Sequence, residues 1–196
     1  MIALDMRRLG GNLGGVGGIM GFRGIDAVPF TFNPKKRTLT LHRPDTFRPP
    51  PDATRVRLYR FHGLPVVEAE LFTHDDRRVP VRFILDTGMN TSVSLPRSLL
   101  QTDPGVASVP VTGNGNSRGV GGALASSNTW LKQTRVFGLD LRHLPVSFEQ
   151  MPAQLQPRNA APQGRIGMAV LAHFELTFDA RRSYVYARYL TAEKPK

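Results

Sequence analysis

The chain has no cysteine among its 196 residues. That excludes a disulfide framework, a cysteine-ligated zinc, an iron–sulfur cluster and a thiol nucleophile. Long hydrophobic runs are also missing. No stretch approaches the roughly 18 apolar residues that cross a bilayer. The opening MIALDMRRLGGNLGG has no apolar core of a secretory signal. Aromatic residues make up only 8%, with a single Trp, and none are interleaved with basic residues as in RNA-binding sheets. Acidic residues are scarce, 15 against 26 Lys+Arg, for a net charge of +11. Such a balance raises nucleic acids and anionic surfaces as partners. The distribution argues against them. Arginines come in ones and twos (Arg7-Arg8, Arg77-Arg78, Arg181-Arg182), and the densest run, Lys35-Lys36-Arg37, follows Asn33-Pro34 in a turn. The charge reads as an arginine-rich solvated surface, with no nucleic-acid partner.

Hydrophobic residues make up 40%, enough for a core, and the length suits one domain and a remainder. A proline-dense segment, 43–54 (RPDTFRPPPDAT), marks the division. Proline fixes φ and removes ladder donors, so this segment is expected to be an extended linker outside any sheet. It separates a front piece, 1–42, from a long back piece, 55–190, with a short tail at 191–196. The back piece reads as strands: 65–72, 79–85, 129–137, 144–148, and a two-residue alternation over 174–178 followed by a turn and a strand over 183–188. Helical turns are expected only over 96–101 and 168–173.

The front piece repeats the end of the back piece. With Gly21 placed on Gly167, an offset of 146, the two stretches align without gaps over 21 positions. Identities are few (Gly21/Gly167, Thr31/Thr177, Phe32/Phe178), but the order of element types is kept. Each copy has an amphipathic turn, an alternating strand, an Asx turn carrying two basic residues, and a second strand. The pattern predicts a duplicated unit of which the first copy retains only its tail.

The sharpest chemical signal is Phe83-Ile84-Leu85-Asp86-Thr87-Gly88, with Ser92 shortly after. An apolar strand delivers a carboxylate into a tight turn, where it is held on a rigid element. Gly88 allows a close backbone approach and its N–H can donate to the carboxylate. The Thr87 hydroxyl is free to bond across to a matching turn, and Ser92 can steady the loop. Taken alone, the same residues also describe an Asx turn at a strand end.

This segment resembles the active-site motif of retropepsin-like aspartic proteases. The resemblance extends to Gly119-Val120-Gly121-Gly122, similar to a flap hairpin that covers substrate, and to Gly164-Arg165-Ile166-Gly167 with the turn after it, similar to the apolar-Gly segment that completes the lobe. It spans roughly residues 58–188. It implies an all-β fold: a small closed β-barrel with a flap hairpin and one short helix. It also implies an aspartic endopeptidase in which Asp86 is catalytic, Thr87 and Gly88 support it, Gly119, Val120, Gly121 and Gly122 contact substrate, and Ser92, Ile166 and Gly167 brace the site. Met89 departs from the family, which places a small residue there. No cofactor and no metal are implied, the partner is a peptide or protein substrate, and a bacterial periplasmic or envelope location would follow from the resemblance.

Two carboxylates about 3 Å apart share one proton in this chemistry. The chain carries one Asp-Thr-Gly only. The second carboxylate is expected either from a homodimer or from a preceding lobe. In the second case the repeat offset puts the missing Asp about 60 residues before Met1, making the chain a fragment. The alternative to a protease is a catalytically inactive domain of the same fold that binds peptide or dimerises.

Competing motifs are weaker. Gly115-Asn116-Ser117-Arg118-Gly119 has the spacing of a serine-hydrolase elbow, but its flanks are polar and glycine-rich rather than a strand and a helix. The five histidines include no His-x-x-x-His pair, and the glycines at 10–18 lack the Gly-Lys-Ser/Thr of a phosphate loop.

Overall fold

The computed structural model describes residues 20–73, 75–103, 106, 109–119, 122–150 and 164–190. Val120 and Gly121 of the expected flap, the glycines at 10–18 and the tail at 191–196 lie outside them. The architecture is all-β, with thirteen strands among the described residues. A 3-10 turn (Phe22–Gly24) precedes β1 (Phe30–Asn33) and β2 (Thr38–Leu41). Then come β3 (Thr54–Arg57), β4 (Tyr59–Phe61), β5 (Leu64–Phe72), β6 (Arg78–Leu85) and β7 (Val93–Pro96). A one-turn helix α1 (Leu99–Thr102) leads to β8 (Gly113–Gly119), β9 (Gly122–Val136) and β10 (Leu139–Glu149). The chain ends with β11 (Gly164–Ile166), α2 (Met168–Leu171), β12 (Phe174–Asp179) and β13 (Tyr184–Tyr189). The helical turns expected over 96–101 and 168–173 are met among the described residues by α1 and α2, each of a single turn. The strands β3 and β4 were not legible, being short and rich in arginine.

The larger sheet runs β4-β5-β6-β11-β7-β10-β9-β8, and a further pairing of β5 with β9 closes it. Glu70, Leu71 and Phe72 pair there with Arg135, Thr134 and Gln133. The ring so closed is β5-β6-β11-β7-β10-β9, with β4 and β8 left as outer strands. Its interior is apolar: Val67, Leu71, Phe83, Leu95, Leu131, Phe148 and Ile166 are all fully buried. On β6 the burial alternates at first and then becomes continuous at Phe83-Ile84-Leu85. There β11 runs alongside it in parallel, Ile166 opposite Leu85. The strand that delivers Asp86 is therefore anchored on both sides.

The smaller sheet runs β2-β1-β12-β13-β3. The alternation of 174–178 suggests one wet face. Instead all six residues of β12 are buried, because β1 and β13 flank it and the front segment packs over it. Its polar side chains are all satisfied. Glu175 accepts from Asn33 Nδ2 and from Arg188. Thr177 meets Thr31, Oγ1 to Oγ1, at 2.8 Å. Asp179 accepts from Arg182 Nη1 at 2.9 Å.

The β1–β12 pairing has a local two-fold character. Thr31 is opposite Thr177, its counterpart at offset 146, and Phe30 and Phe32 sit opposite Phe178 and Leu176, each other's counterparts. The Asx turns match as well: Asn33 Oδ1 accepts from the Lys36 N–H at 2.9 Å, and Asp179 Oδ1 from the Arg182 N–H at 3.2 Å. The front segment thereby shares a sheet with the end of the back piece. Between them, 42–53 lies outside any strand, with Phe47 buried against His42.

Candidate active site

Asp86 stands immediately beyond β6, half-buried. Its backbone N–H donates to Ile166 O at 3.0 Å, which ties the turn to β11. The Gly88 N–H donates to Asp86 Oδ1 at 3.0 Å. Gly88 does not use the left-handed region. Its role is close approach, since a Cβ there would lie 3.3 Å from Asp86 Oδ1. Thr87 and Gly88 are both exposed, facing out of the barrel.

The loop after Asp86 is locked to the α2 side of the fold. Met168 N–H donates to Met89 O at 2.7 Å, and Gly167 N–H donates to Ser92 O at 2.8 Å. Ser92 thus braces the loop through its backbone carbonyl, its side chain being buried. A Cβ on Gly167 would sit 2.3 Å from Thr91 O and 2.5 Å from Met89 O, so no side chain fits there. Met89 meets the start of α2 with both its carbonyl and its side chain, whose Cε would lie 2.8 Å from a Cβ on Gly167. Ile166 is fully buried between β6 and β7.

Gly119 and Gly122 face each other at the end of the β8–β9 hairpin, the place expected of a flap. Ser117 lies within β8, opposite Leu124, and among the described residues the element that follows is the strand β9. The strand-turn-helix geometry of a serine elbow is absent there. Among the described residues no group of three or more His, Asp or Glu could hold a metal ion. No helix among them is long and apolar enough to cross a membrane.

A charged cluster beside Asp86 was not anticipated. Register explains it. Arg165 pairs with Ile84 on one side and Ser94 on the other, and Ser94 pairs with Ser147 of β10. Those side chains form a row on one face. Asp86 is two residues beyond Ile84 and Glu149 two beyond Ser147, so the two-residue period brings both carboxylates to that face. Arg165 Nη1 lies 3.5 Å from Asp86 Oδ2, and its Nη2 donates to Glu149 Oε2 at 2.6 Å. Glu149 also accepts from Ser94 Oγ at 2.9 Å and Ser147 Oγ at 3.0 Å. A sequence signal for this cluster did exist: a charged residue inside the short segment Gly164–Ile166, flanked by strands, demands a buried counter-charge.

No protein-family model matches the chain, and no curated protein does. Among solved structures, it is similar to a retropepsin-like aspartic protease from Rickettsia conorii, with 15% identity over 67% of this chain and 95% of that one, at a TM-score of 0.43. It is also similar to Basic 7S globulin from soybean, with 14% identity and a TM-score of 0.41, covering 83% of this chain and 51% of that one.

Proposed function

We propose that the chain is one lobe of an aspartic endopeptidase in which Asp86 is one of two carboxylates activating water. The placement of Asp86 carries this reading. It is a half-exposed carboxylate at the end of a buried strand, with one oxygen bonded to the Gly88 N–H and its own N–H bonded to β11. In this mechanism one carboxylate takes a proton from water as the oxygen attacks the scissile carbonyl carbon. The other, protonated, donates to the carbonyl oxygen, and the tetrahedral intermediate then loses the amine after proton transfer to nitrogen. The β8–β9 hairpin covers the peptide and adds to it as a strand. The second carboxylate comes from a second copy or from a preceding lobe. The local two-fold between β1 and β12 supports a paired arrangement, as does the repeat at offset 146.

The test is cleavage of a peptide library at acidic pH. The expected activity is pepstatin-sensitive and falls by about 10²–10⁴-fold in Asp86→Asn. An activity that rises more steeply than protein concentration identifies a homodimer. A second reading, an inactive peptide-binding or dimerising domain, is favoured by one observation: the charged group that the described residues bring to Asp86 is a guanidinium, not a carboxylate. Protein that binds peptide or dimerises without cleaving it selects that reading.

A further inference from the structure

Arg165 is shared unequally between two carboxylates. Its contact with Glu149, 2.6 Å, is a short charge-assisted hydrogen bond. Its contact with Asp86, 3.5 Å, is at the outer limit of hydrogen bonding. The environments of the two acids account for the difference. The Glu149 side chain is 3% exposed, against 28% for Asp86. A buried carboxylate without a counter-charge is costly, whereas water solvates a half-exposed one. Glu149 is also fixed in place. Both its oxygens accept serine hydroxyls, and its backbone carbonyl accepts from the Arg97 N–H at 2.8 Å.

We propose that Glu149 is a restraint that holds the Arg165 guanidinium off Asp86, leaving Asp86 Oδ2 open to water and substrate. The inference rests on the reading of Asp86 as a catalytic carboxylate. Arg165 has the reach and the donors to clamp Asp86, and a planar guanidinium closes readily on a carboxylate in two-point geometry. A clamped Asp86 could not accept a proton from water at that oxygen. Glu149 and Arg165 are positioning residues, acting through Asp86 rather than on the peptide. A glutamine at 149 keeps both serine contacts, its oxygen accepting from one hydroxyl and its NH2 donating to the other, but no longer offers the cation a counter-charge.

The experiment compares wild type, Glu149→Gln, Glu149→Gln/Arg165→Met and Asp86→Asn in the peptide assay, with thermal melts to read folding and a crystal structure of E149Q. In E149Q the guanidinium is expected to move onto Asp86, to about 2.8 Å. The value of kcat/KM is expected to fall about 100-fold, mainly through kcat. The double variant has no cation to restrain and is expected to regain at least about tenfold over E149Q, a non-additivity that a purely structural role for Glu149 does not produce. An active E149Q, a guanidinium unmoved in its crystal structure, or a double variant no better than E149Q overturns the proposal. Should E149Q fail to fold, the double variant decides: activity within about tenfold of wild type supports the restraint, and activity as low as D86N overturns it. If D86N cleaves as well as wild type, the catalytic reading of Asp86 has failed. The crystal structure of E149Q then decides the restraint by itself.

Discussion

Replacing Gly167 by Ala probes the link between the site loop and the rest of the fold. Gly167 has φ −107° and ψ −174°, extended backbone that alanine adopts freely. The substitution even removes chain entropy from the unfolded state, which favours folding by about 0.4–1 kcal/mol. The penalty is therefore steric. The new Cβ would meet Thr91 O at 2.3 Å and Met89 O at 2.5 Å. Both are backbone atoms, so relief requires the whole 89–92 loop to move. Overpacking of this kind costs about 1–3 kcal/mol. The displacement also strains the bonds Met168 N–H to Met89 O and Gly167 N–H to Ser92 O, each contributing about 1 kcal/mol. The expected net destabilisation is about 2–4 kcal/mol. In urea unfolding, a slope of about 2 kcal/mol/M turns this into a midpoint lower by about 1–2 M. Gly113→Ala is the matched comparison: a Cβ there has nothing within 4 Å, and a change within about 0.5 kcal/mol is expected. A Gly167→Ala midpoint equal to that of Gly113→Ala would refute the steric argument.

Further predictions follow from the small sheet and its tyrosines. The Thr31–Thr177 hydroxyl contact at 2.8 Å is expected to show a coupling of about 0.5–1.5 kcal/mol in a double-mutant cycle with valine, the double variant losing less than the two singles together. Additive losses would show that the two hydroxyls do not depend on each other. Burial raises the Tyr186 phenol above its ordinary range, with the Asp179 charge adding to the effect. Folding then favours the protonated phenol, so its stabilisation is complete below the unfolded value of about 10 and is lost as pH rises through the folded value. Absorbance titration at alkaline pH should show a late-ionising component that disappears in Tyr186→Phe. If that component survives the substitution, Tyr186 is not its source.

Much of the site could be read along the chain because its parts are local. Asp86, Thr87 and Gly88 are consecutive, and the Gly88 N–H reaches the carboxylate two residues back. The apolar run before them had to be a buried strand, since Phe83, Ile84 and Leu85 offer no wet face. The Asx turns at 33–36 and 179–182 are equally local, which is why the offset of 146 was visible at all.

What the chain alone could not convey depended on which strands lie side by side. Alternation in 174–178 implied a solvated face, and only the pairing of β1 along β12 buried it. The missing cysteine excludes thiol and cysteine-ligated metal chemistry from composition alone, and along the chain the scattered arginines read as surface charge. Tertiary structure pairs several of them with buried carboxylates, Arg165 among them. Arg165 is 16 residues from Glu149 and 79 from Asp86 in sequence, and no local rule joins them. Register between β6, β11, β7 and β10 does, because side chains in neighbouring strands meet by alignment rather than by spacing. Local chemistry thus set the carboxylate and its turn, and long-range pairing set the charges that surround it.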